Sequence, residues 1–102
     1  MGLEFEFDHA MQNIYHTAKR ELNYNASIFW NMLAEHRGVL TAKKLINSDK
    51  PSEGYTYLWE KQRLDLTVEA LVVENAKWHS LFEQSEIIKA KQRLSDYEYR
   101  LV

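Results

Sequence analysis

Apolar residues recur at helical spacing along most of the chain. Phe7, Met11, Ile14, Tyr15, Ala18 and Leu22 fall on one face at intervals of three and four, which predicts a first helix over about residues 6–23. Asn25 offers a side-chain oxygen to the free N–H groups that open a second helix, and Ile28, Phe29, Met32 and Leu33 continue from it with the same period. Gly38 ends that helix if it adopts a positive φ. Thr41 is then placed to cap a short third helix with Ala42, Leu45 and Ile46 inward, and Ser52, behind Pro51, to cap a fourth with Tyr55, Leu58 and Trp59 inward.

Asp65 stands where the cap of a fifth helix is expected. Val68, Leu71 and Val72 make one stripe, and Leu66, Ala70 and Val73 occupy much of the opposite side, so this helix should be the most buried. Its valines also suit a strand, but no second alternating run exists to pair with it. Asn75 opens a short sixth element holding Trp78, Leu81 and Phe82. A last helix, about 84–98, turns Ile87, Ala90, Leu94 and Tyr97 inward and Lys89, Lys91 and Arg93 outward. Six or seven short helices predict an all-α fold, a compact orthogonal array rather than a four-helix bundle.

Composition narrows the function more than it names one. The 102 residues contain no Cys, which removes disulfides, thiolate nucleophiles and cysteine-ligated metals, and one Pro and three Gly leave no linker, so residues 1–102 read as one domain. The longest hydrophobic run, Ala70 to Val73, is far short of the roughly 20 residues a membrane helix needs. Acid at Glu4, Glu6 and Asp8 stands where a signal peptide would carry base, so a cytoplasmic protein is expected. The net charge of −2 is unevenly spread: residues 17–50 sum to +3 and residues 51–86 to −4.

Asp65 and Glu69, four apart, would share a helix face and could divide acid and base roles or hold a metal. The structural alternative is that Asp65 caps and Glu69 pairs with an arginine, for which Arg63 is nearest in sequence. His9, His16, His36 and His79 have no metal-ligand spacing, and there is no phosphate-binding glycine loop or nucleophile elbow. No enzyme, metal or cofactor is expected.

Aromatic residues make up 13% of the chain, more than a core this small needs to place. Trp30 and Tyr57 each sit beside an apolar stripe rather than on it, which makes them candidates for a protein interface. Arg37, Lys43, Lys44 and Lys50 surround a pair of short helices that loosely matches a helix-turn-helix, so a nucleic-acid-binding regulator is the alternative. The match departs at Ile46, where that motif favours Gly, and Glu53 and Glu60 on the presumed reading helix repel phosphate.

The stretches Thr41 to Ile46, Ser52 to Glu60, Arg63 to Val72, and Trp78 with Leu81-Phe82 ahead of Ala90 to Leu94 together resemble a family of small, all-helical bacterial proteins without an established activity. The most specific part is Arg-Leu-Asp-Leu-Thr-Val-Glu at 63–69. Arg37-Gly38 stands where the family has Gly-Gly, and Glu83 where it has a Thr or Ser cap. The resemblance implies a bacterial, soluble, independently folding protein and supplies no catalytic residue. The leading expectation is a non-catalytic module that offers a preformed helical surface to another protein.

Overall fold

The first helix begins earlier than its apolar stripe. In the computed structural model, which describes residues 2–99, α1 spans Leu3–Leu22 and buries Phe7, Met11, Tyr15 and Ala18. Met1 and residues 100–102, parts of the expected single domain, lie outside the described residues. Glu4 and Glu6 in the first turn and Lys19 and Arg20 in the last complement the helix dipole. Asn23, at φ 54°, closes it in the left-handed conformation that asparagine tolerates.

The second and third expected helices are one element. α2 runs Ser27–Asn47 and is kinked at Arg37, whose φ of 68° and ψ of −179° lie in a region that is essentially glycine's. Gly38 therefore does not supply the positive φ, and its requirement is space. A Cβ there would lie 2.7 Å from Asp8 Oδ1 and 3.1 Å from Asp8 Cα, so glycine lets α1 and α2 meet at this point. The Asp8 carboxylate accepts from Gly38 N at 2.6 Å and from Arg37 Nε and Nη2 at 3.1 and 2.8 Å, which holds the kink shut. Thr41 is not a cap. It is fully buried beyond the kink and donates to the Met32 carbonyl at 3.1 Å, tying the second part of α2 back to the first. Asn25 likewise caps nothing, because its Oδ1 accepts from the Tyr15 hydroxyl at 2.7 Å.

Ser52 does cap α3, Glu53–Glu60, accepting from Tyr55 N at 3.1 Å. Tyr55 and Leu58 point inward, but Trp59 is 45% exposed, packing edge-on against Tyr97 instead of entering the core. A 3-10 turn, Leu64–Leu66, leads to α4, Val68–Glu74. Its cap is Thr67 rather than Asp65: Thr67 Oγ1 accepts from Ala70 N at 3.1 Å and donates to the Leu64 carbonyl at 2.7 Å. Val68, Glu69, Ala70 and Val72 are buried, as the all-round apolar pattern predicts. Asn75 then caps a second 3-10 turn, Ala76–Leu81, through Lys77 N. α5, Gln84–Asp96, buries Ile87, Ala90 and Leu94, and Glu86 reaches back to Glu83 N at 2.8 Å, so a pair of glutamates forms the capping box that opens the helix.

The fold is all-α, with no strand among the described residues. Its main core joins Phe7 and Met11 of α1, Leu33, Ala42 and Ile46 of α2, Val68 and Val72 of α4, and Ile87 and Ala90 of α5. Phe7 meets Trp78 and Phe82 edge to face at 5.2 and 5.5 Å, the geometry ring quadrupoles favour. No helix among the described residues is long and apolar enough to cross a membrane.

Candidate functional site

The α1–α2 turn and α3 do not close over α4. Between them lies a partly open cavity of about 380 Å³, walled by Ile14, Tyr15 and Ala18 of α1, residues 24–26 of the turn, Ser27, Ile28, Phe29, Met32 and Leu45 of α2, Ser52 and the first part of α3, and Leu66 to Glu69. Most of its lining is apolar. At roughly 24 cal/mol per Å³, sealing such a void empty would cost about 9 kcal/mol, comparable to the whole stability of a small domain. A folded chain keeps a space of this size open to water or fills it.

Both interface candidates adjoin this cavity without lining it. Trp30, 37% exposed, lies against Tyr15 of the wall, ring centroids 4.6 Å apart. Tyr57 stacks on Tyr24 of the wall at 4.2 Å with the planes 18° apart, and Lys61 Nζ lies 5.5 Å from the Tyr57 ring. Ile28, on the lining, is the most exposed large apolar side chain among the described residues at 69%, so apolar surface continues outward from the cavity. The outer placement of Trp30 and Tyr57 follows from their offset by one position from the buried stripes of their helices.

Glu69 forms part of the floor. Burial pushes its carboxyl above the ordinary carboxylate value, opposed by the Arg93 guanidinium and by its own backbone N–H. Arg93, expected to face outward, is turned in by this pairing: Nη1 donates to Glu69 Oε2 at 2.7 Å and to the Leu45 carbonyl at 3.0 Å, while Nη2 donates to the Ser48 carbonyl at 2.6 Å. Tyr55 Oη donates to the Arg93 carbonyl, and burial, reinforced by the Glu69 charge, raises the Tyr55 phenol well above its usual value. Glu53, at the mouth, is exposed and in no ion pair among the described residues.

The Asp65 and Glu69 carboxylates are not brought together. Asp65 is exposed on the 3-10 turn and bound by Arg63, through Nε at 3.0 Å and Nη2 at 3.1 Å, and Arg63 also donates to Glu21 at 2.7 Å. Arg63 is thus the partner of Asp65, and Glu69 takes Arg93. Among the described residues no three of His, Asp and Glu gather as a metal-ligand set.

The four basic candidates do not act as one free patch. Arg37 is engaged by Asp8, and Lys43 donates to Glu86 at 2.9 Å and lies over the Phe82 ring. Lys44 and Lys50 are exposed. Arg37 and Lys43 line a second, wide groove with Phe5, Val39 and Leu40, where Asp8 and Glu4 balance their charge. Asp8 and Arg93 are the residues the chain pattern did not single out. Asp8 carries a signal all the same, since it falls three, seven and ten positions before Met11, Tyr15 and Ala18, on the buried face of α1.

No family model, curated protein or solved structure matches the chain.

Proposed function

We propose that this chain is a non-catalytic, cytoplasmic protein-interaction module whose docking face is the cavity between the α1–α2 turn and α3. The single observation that carries the reading is the continuity of apolar surface from the cavity floor to exposed Ile28, flanked by the tilted ring contact Tyr15–Trp30 and the stacked pair Tyr24–Tyr57. Aromatic side chains held rigid by stacking lose little entropy on binding, which is why such residues dominate interface energetics. Nucleic-acid binding is the weaker reading, because Arg37 and Lys43 already have carboxylate partners within the chain.

The test is site-specific photo-crosslinking in the cells from which the chain comes, with a benzophenone amino acid replacing Ile28 or, on α5, exposed Lys91. A discrete protein adduct from position 28 that position 91 does not give supports the module. Identical adducts from both positions, or none from position 28, overturn it.

A further inference from the structure

We infer that the occupant of this cavity is a basic, apolar segment of a partner protein, which inserts one or two large side chains and sets a Lys or Arg against Glu53. The inference rests on the interaction reading above and adds the chemistry of the partner.

Size comes first. An apolar cavity of about 150 Å³ holds a benzene, so about 380 Å³ accommodates an aromatic together with an aliphatic side chain. A small molecule of that volume would leave exposed Ile28, and the outer faces of Trp30 and Tyr57, in water. A helix bearing side chains three or four positions apart covers both the cavity and the rim.

Charge then selects the partner's sign. The lining holds two carboxylates, Glu53 and Glu69, and no Lys, Arg or His. Glu69 is held by Arg93, which is not part of the lining, whereas Glu53 has no cationic partner among the described residues. Glu53 also acts on the wall: after burial, its charge is the largest influence raising the Tyr24 phenol. An acidic segment would set like charge against Glu53, while a Lys or Arg there completes an ion pair.

The experiment selects a phage-displayed library of random 20-residue peptides on the immobilised full chain. Enriched peptides are then titrated by fluorescence anisotropy against the parent, Ile28→Glu and Glu53→Lys, whose folding is checked by circular dichroism. The expected result is basic peptides with apolar residues at helical spacing, weakened about tenfold or more by either substitution and weakened further by salt. Peptides that are sensitive to Ile28→Glu but acidic or neutral, or indifferent to Glu53→Lys, overturn the charge inference and leave the docking face standing. No enrichment, or binding indifferent to Ile28→Glu, overturns both.

Discussion

Arg93 Nη1 stands 2.7 Å from Glu69 Oε2, with the two side chains only 12% and 5% exposed. The pair crosses from α5 to the first turn of α4, and Arg93 also ties down the carbonyls of Leu45 and Ser48 at the end of α2. Removing one partner of a buried pair strands the other charge. Arg93→Leu is expected to lower the free energy of unfolding by about 3–5 kcal/mol, and adding Glu69→Leu to recover part of that loss. Urea unfolding of both single variants and the double variant checks the cycle; strict additivity would mean the two groups are not coupled.

Gly38 and Gly54 should respond to alanine with opposite signs. At Gly38 the new methyl meets Asp8 backbone and carboxylate, and Gly38→Ala is expected to cost about 1–3 kcal/mol through overpacking. At Gly54, in the first turn of α3, the nearest atom is the Tyr24 hydroxyl at 3.4 Å, and Gly54→Ala should gain about 0.4–1 kcal/mol by restricting the unfolded chain. Thermal unfolding of the two variants reads both signs directly.

Arg37 occupies a backbone conformation natural to glycine, at φ 68° and ψ −179°. Arg37→Gly and Arg37→Ala both lose the guanidinium, so their difference isolates the backbone. The glycine variant is expected to be the more stable by about 1–2 kcal/mol. Equal stabilities would show that the kink relaxes without strain.

Two buried glutamates pull the pH dependence in opposite directions. Burial raises the Glu86 carboxyl, but the Glu83 N–H, Lys43 and Asn47 together outweigh it and hold Glu86 below its ordinary 4.5. Its stabilisation is present above pH 4.5 and is lost as pH falls through its folded value. Glu69 is held above 4.5, so its contribution is greatest below that pH and declines as pH rises through its folded value. In unfolding measured across pH, Glu86→Gln should flatten only the acid limb and Glu69→Gln only the limb above 4.5. The reverse assignment would refute these environments.

The elements whose residues speak to near neighbours were legible from the chain. The stripe of α1, the Ser52 and Asn75 caps and the inner face of α5 all depend on contacts within a few positions. What escaped depends on distant partners: Asp8 with Arg37 and Gly38, 29 and 30 positions away, and Glu69 with Arg93, 24 away. Asp65 and Thr67 show a subtler limit, since either could cap, and the 3-10 turn stabilised by Thr67 decides between them. At the site, the offsets of Trp30 and Tyr57 marked them as outward-facing, but only the fold brings Tyr15 and Tyr24 beneath them.

α3 has eight residues, fewer than a helix needs to persist alone in water. It endures through what it rests on, and one side of it borders the open cavity above α4. Its amides should therefore exchange with deuterium by local opening, well ahead of those in α1, and slow when the space is occupied. Protection along residues 55–60 becomes a built-in gauge of occupancy, readable without labelling the partner or knowing its name.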